Sequence, residues 1–304
     1  MLTLHETGKP NILCSGNALP AGAALRKPAS GLFPREHGAW AMLIQPFLGA
    51  LIVLHRLSWP ALPALAAVVL VFLIRDPLIV LARQKMVWRT ERPETALARR
   101  YLLVELLALA AAAAWLTLAW PVWWLVALGA GAAILTALAV YMTVKNRQRS
   151  IWLQAVSAAG LSSSALAASL AVNATLPEWV WWFWALHSAH FLASILVVHV
   201  RLEARIAARK PAAHPSAGVL APEILSFRKK TAILEGLVMA AAIALLFAGK
   251  WLYSAAALLS AGFNLYDLFT LHTPRAIAVS MMTVGKRALA VSIAFTLLLA
   301  AGSL

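Results

Sequence analysis

The stretch WPALPALAAVVLVFLIRDPLIVLARQK, Trp59–Lys85, decides the fold. Its interior, residues 60–82, is long enough and apolar enough to cross a hydrocarbon layer, which takes about 20 residues of helix. A tryptophan stands at one end and Arg83 with Lys85 at the other, the pattern of an interfacial aromatic and a cytoplasmic-side charge. Within the run sits Arg75-Asp76-Pro77. An ionisable side chain at such depth costs about 2.5–3.5 kcal/mol on insertion scales and marks a functional candidate. Pro77 removes the backbone bond to residue 73, which predicts a kink and a freed carbonyl able to line a cavity. Arg83 follows Asp76 by two helical turns on the same face.

The rest of the chain repeats this design. Of its 304 residues, 62% are hydrophobic and only 12% charged, with a mean hydropathy of +0.80; soluble domains run at roughly 45–50% and about 25%. Further apolar segments lie at 38–55, 101–120, 122–144, 151–171, 179–200, 231–248, 251–270 and 286–303. With 60–82 they predict an all-α polytopic membrane protein of about nine transmembrane helices. Residues 1–32 read as a disordered cytoplasmic tail, being polar and rich in Ala, Pro and Gly; residues 33–304 read as a single transmembrane domain.

Charge sets an orientation. Of the 26 Lys and Arg, all but Arg56, Arg75 and Lys250 fall in segments that an N-in, C-out arrangement places in the cytoplasm. Trp59, Trp120, Trp123, Trp124, Trp179, Trp181, Trp182 and Trp251 then gather at the outer ends as an aromatic belt. The two long loops, 83–100 and 201–230, follow the second and sixth spans and face the cytoplasm. The net charge of +15 is explained by this bias, and without a basic soluble module nucleic acid is not an expected partner. Cys14 is the only cysteine, which excludes an intramolecular disulfide and a thiolate metal cluster.

The polar residues inside the spans are the candidates for chemistry. Both aspartates of the chain, Asp76 and Asp267, lie there. Ser260, Asn264 and Asp267 share one helical stripe, and His187, His190, Ser194 and Arg201 form another polar line. His199 and Glu203 are spaced as a helical pair. Gln154 and Ser157 belong to the fifth span, and Glu105 and Glu235 lie one turn into the third and seventh.

The expected arrangement is a bundle with a polar cavity open to the cytoplasm. Its catalytic candidates are His37, Asp76, His190 and Asp267; its substrate-binding candidates are Arg75, Arg83, Lys85, Lys145, Gln154, Glu105, Glu235 and Asn264. No metal site is expected, because the His187/His190 pair supplies two ligands where three or four are needed. No cofactor is assigned. Bland readings stand beside these: Glu105, Glu235 and His199 as interfacial anchors, Arg75–Asp76 as a structural ion pair, and the Ser260 stripe as interhelical glue. The small-residue run SAAGLSSSALAAS, 157–169, predicts a helix inside the bundle.

Two resemblances add to this. The block FPREHGAWAMLIQPFLGALI at 33–52, with HFLASILVVHVRLEAR and VGKRALA further on, resembles the YwiC-like family of bacterial membrane proteins. That resemblance implies a multi-pass protein of the bacterial cytoplasmic membrane and supplies no reaction. Within the block, Pro34, Glu36 and Trp40 suit a helix anchor, whereas His37 beside Gly38 could face the cavity where a helix or ligand approaches the backbone.

In architecture the chain also resembles the UbiA-type intramembrane prenyltransferases, nine-helix N-in/C-out bundles with catalytic cytoplasmic loops after helices two and six. Those enzymes hold a prenyl diphosphate through Mg²⁺ on NDxxDxxxD and DxxxD motifs. Here LARQKMVWRTERPETALARR and RLEARIAARKPAAHPSAG contain no aspartate, so diphosphate ionisation of that kind is not implied. Three function classes follow: a binder or enzyme for a lipid-like substrate of isoprenoid or quinone type, a secondary transporter using intramembrane Asp, Glu and His, and a membrane accessory protein without catalysis. Membrane lipid is a partner in all three.

Overall fold

The computed structural model describes residues 37–88, 93–147, 150–209, 222–271 and 273–304, and the tail expected at 1–32 lies outside them. Every regular element among the described residues is helical. Seven helices are long and apolar enough to cross a membrane, which makes this a multi-pass membrane protein. The helix over the first expected span, α1 (His37–Leu54), is apolar but shorter. That over the eighth, α9 (Trp251–Thr270), is interrupted by the polar stripe Ser260, Asn264 and Asp267 and is not among the seven.

After α1 the chain turns at His55, whose φ of 47° is left-handed, and enters α2 (Ala61–Arg83). The helix runs on through Pro77 without a break and widens into a π turn, Gln84–Trp88. Then come α3 (Pro93–Ala119) and α4 (Trp123–Val144). The fifth expected span is two helices, α5 (Ile151–Ser162) and α6 (Ser164–Asn173). The seam is the triplet Ser162, Ser163 and Ser164, whose hydroxyls donate to the carbonyls of Ala158, Gly160 and Leu43, each at 2.7 Å. Two bonds curl back on the helix and the third ties it to α1, which ends one helical axis and begins another.

The long α7 (Glu178–Arg209) follows, then the hairpin of α8 (Pro222–Phe247) and α9, closed by Gly249 at φ 75°. The short α10 (Pro274–Ala278) and α11 (Met281–Ser303) start on hydroxyl caps, Thr273 and Ser280 accepting from the backbone of Ala276 and Thr283.

Several boundaries differ from the hydropathy reading. α3 and α8 begin eight and nine residues before residues 101 and 231. Polar first turns such as Glu94-Thr95 remain helical outside hydrocarbon, where hydropathy cannot register them.

The centre of the bundle is α6, buried from Ser164 to Val172 as its small residues predict. Around it lie Phe47 and Ala50 of α1, Phe183 of α7, Ala256 of α9 and Phe295 and Leu299 of α11. Trp120 and Ser58 lock the loops to α6 by donating to the carbonyls of Leu170 and Ala171. On the other flank α3 and α4 each pack on α2 but make at most marginal contact with each other. Their outer faces, with Leu103, Leu107, Leu118 and Ile134, are exposed and suited to lipid.

Candidate functional site

The splay of α3 from α4 leaves a cavity of about 430 Å³ bounded by α1 to α6, within the roughly 300–1,000 Å³ usual for small-molecule pockets. The expectation of a polar cavity is not what forms. The walls are Ala67, Val71, Leu116, Leu128, Ala132 and similar residues. Four of the hydroxyls among them are already spent: Thr117 and Thr136 donate to carbonyls of their own helices, and Ser163 and Ser164 to those named above. Small residues on α4 to α6 cannot fill the gap that the parting of α3 and α4 opens. The result is a hydrocarbon-lined space.

Among the described residues Arg75 is the one charged residue in that lining and the last that α2 contributes to it, and Ser157 of α5 lines it too. Arg75 Nε donates to the Asp76 carboxylate at 3.1 Å and its guanidinium stands 5.3 Å from the Phe72 ring centre. Glu105 of α3 is close enough to Asp76 for the two charges to interact, and its Oε2 is buried without a hydrogen-bond partner. Gln154, one turn from Ser157, reaches His199 of α7 at 3.3 Å, and His199 in turn faces Glu203 at 3.8 Å. Of these polar groups only Arg75 and Ser157 line the cavity; Asp76, Glu105, Gln154 and His199 stand behind or beside them. Arg75 is charge-matched by Asp76, so the group is polar without being basic.

The remaining candidates fall into other places. Arg83 is half-buried near the end of α2, and Lys85 shares a cleft with Gln84, Thr95 and Arg99. Lys145 is exposed, 5.9 Å from the Tyr141 ring centre. The side chain of His37 lies outside the described residues. Among the described residues a Cβ built on Gly38 would meet nothing within 4 Å.

His190, Asn264, Asp267 and Glu235 belong to a second region, between α7, α8, α9 and α11. His190 Nδ1 lies 2.6 Å from Ser260 Oγ, and its ring stacks on Phe295 at 4.3 Å. Asp267 takes Nε and Nη2 of Arg201 at 3.2 and 2.5 Å, while Nη1 donates to Ala276 at 2.8 Å. Both partners are buried. Arg201 therefore clamps α7 to α9 and α10 in the paired-fork geometry that suits guanidinium. His187 is bonded at both nitrogens, to the Phe183 carbonyl and to Thr296, at 2.9 and 3.0 Å. Glu235 is fully buried at mid-helix beside Asn264, which removes the interfacial-anchor reading for it.

The sequence reading placed Arg201 in a polar line without a partner and left Ser292 and Thr296 unremarked. Ser292 donates to Gln45 of α1 at 2.5 Å. The signal for the two hydroxyls was their i, i+4 spacing on one face of an otherwise apolar helix. Among the described residues there is no group of three or more His, Cys, Asp or Glu placed to hold a metal ion.

Comparison with known proteins adds one positive finding. A family model described as YwiC-like protein matches residues 33–169, so that segment is similar to the YwiC-like family. The matched segment contains every residue that lines the cavity, from Leu43 to Ala167. Neither the curated proteins nor the solved structures gave a match.

Proposed function

Taking the YwiC-like match over residues 33–169 as premise, we propose that this chain binds a lipid-like molecule with an apolar chain and an uncharged polar head, of the isoprenoid or quinone class. The observation that carries the reading is the cavity: hydrocarbon walls, a lateral gap between α3 and α4, and one polar end at Arg75. An apolar tail gains about 25 cal/mol for each Å² of its surface withdrawn from water, and gains packing contacts over lipid where the walls fit it. The head meets Arg75 and the Ser157 hydroxyl, the polar groups at that end of the lining, with the carboxylates of Asp76 and Glu105 close behind. A diphosphate is a poor match, because its charges would meet two carboxylates and one arginine already engaged.

This reading carries the orientation with it. With the N-terminus inside, the polar end of the cavity lies toward the cytoplasmic surface of the bacterial inner membrane, and α1 to α11 form a nine-span bundle of UbiA-like arrangement. The basic residues Arg83, Lys85 and Lys145 then stand at the membrane surface as topology determinants and not as ligands of the head.

Native mass spectrometry of the purified protein tests the proposal. The expected spectrum contains a stoichiometric isoprenoid or quinone. Ala132→Phe, which fills the cavity, reduces that occupancy at least tenfold without loss of the fold. Bulk phospholipid as the only adduct, in both proteins, would overturn it.

A further inference from the structure

Glu235 sits at the midpoint of α8, roughly 20 Å of helix from its start. The side chain is 0% exposed, and neither carboxyl oxygen has a hydrogen-bond partner. The Asn264 amide of α9 lies near enough to act on this carboxylate; it is itself 3% exposed, and its Nδ2 is outside hydrogen-bonding geometry with any acceptor. Three orphaned polar atoms therefore meet across the α8–α9 hairpin, in a segment apolar enough to lie in the membrane. Each orphan costs about 1–3 kcal/mol, and an ionised, unpaired carboxylate far more.

The neighbouring charged groups are committed elsewhere. From α9, Asp267 is held by Arg201 of α7, and Tyr266 is exposed. From α7, His190 is bonded to Ser260, and His199 faces Gln154 and Glu203. On α8 itself Lys229 and Lys230 are exposed and Arg228 lies 5.9 Å from the Phe269 ring centre, each more than a turn away. A metal cation would need several oxygen ligands, and no three-residue ligand group is present among the described residues. A proton needs none.

We propose that Glu235 is a proton-binding site in the bundle interior, and that the bound proton joins it to Asn264 as a cyclic acid–amide pair. A carboxylate can only accept, whereas a carboxylic acid also donates. The acid O–H donates to Asn264 Oδ1, and Asn264 Nδ2 donates to the other carboxyl oxygen. One proton thereby gives partners to all three orphaned atoms and removes the charge. Its release to water as H⁺ restores the charge, opens the ring and unfastens α8 from α9 in the bundle interior. This site is separate from the cavity and does not depend on what fills it.

Infrared difference spectroscopy of the full chain in lipid nanodiscs tests this. At neutral pH the wild type minus Glu235→Gln spectrum should contain a protonated-carboxyl C=O band, and Asn264→Leu should shift it. Carboxylate bands in its place, or a band that Asn264→Leu leaves unmoved, would overturn the proposal. If Glu235→Gln fails to fold, the wild type treated with dicyclohexylcarbodiimide decides. That reagent adds to protonated carboxyls in apolar surroundings, so an adduct at Glu235 is expected. Its absence, with adducts at other carboxyls, counts against the site.

Discussion

At the scale of single residues, Asp267 changes meaning most. Its position in a membrane helix marks it as a candidate for chemistry, yet both oxygens are occupied by Arg201 and both side chains are buried. Breaking such a pair from one side leaves an unmatched buried charge, which costs about 3–5 kcal/mol. Asp267→Ala should therefore lower the melting temperature in detergent micelles sharply. The double replacement Arg201→Met with Asp267→Leu should recover most of that loss. An Asp267→Ala protein that melts like wild type but no longer retains its lipid would sink this structural role. Arg75 is the opposite case. Its guanidinium lines the cavity and its side chain and that of Asp76 are about a quarter exposed, so Arg75→Leu should lower the melting temperature less than Asp267→Ala while reducing co-purified ligand several-fold. Equal ligand in both proteins would remove Arg75 from the site.

Among elements, the contacts that matter most are the closest ones. A Cβ on Gly49 of α1 would lie 2.6 Å from Phe183 Cζ and 2.8 Å from Thr296 Cγ2, so α1 meets α7 and α11 there almost backbone to side chain. Gly49→Ala should cost about 1–3 kcal/mol, the range for overpacking, and Gly38→Ala next to nothing. Comparable melting of the two variants would show that α1 does not pack as described.

Element boundaries also show what the sequence could and could not disclose. The apolar runs locate helices because hydropathy reports the solvent a segment prefers. It says nothing about where a helix stops once it leaves hydrocarbon. α8 therefore appears to begin at 231 in the hydropathy trace and begins at Pro222 in the fold; what the trace could not show of Glu235 is that its side chain is buried inside the bundle. The seam at Ser163 was invisible for a related reason, since serines in a small-residue run read equally as packing surface. Pairings between helices were out of reach altogether: Arg201 and Asp267 were each noticed, but nothing in a sequence brings two residues 66 positions apart together.

For the whole molecule, orientation is the property most open to direct test. Cys14 is the single cysteine, and the charge bias puts the N-terminus inside. In intact cells a membrane-impermeant maleimide should leave Cys14 unlabelled, and permeabilisation should make it reactive. Labelling without permeabilisation would invert the topology and move the polar end of the cavity to the outer leaflet. The two proposed sites also lie apart in sequence: the segment similar to the YwiC-like family contains the whole cavity, and the buried Glu235 and Asn264 lie in the helices after it. The composition disclosed the membrane class and the separate polar stripes. It gave no hint that the space between helices would be apolar, because a cavity is a property of how helices diverge.

The parting of α3 from α4 has a last consequence, for how affinity must be measured. A molecule entering through that gap comes from the surrounding leaflet and never crosses water. Its relevant concentration is a mole fraction among lipids, so half-saturation should follow the ligand-to-lipid ratio and stay constant when the vesicle suspension is diluted.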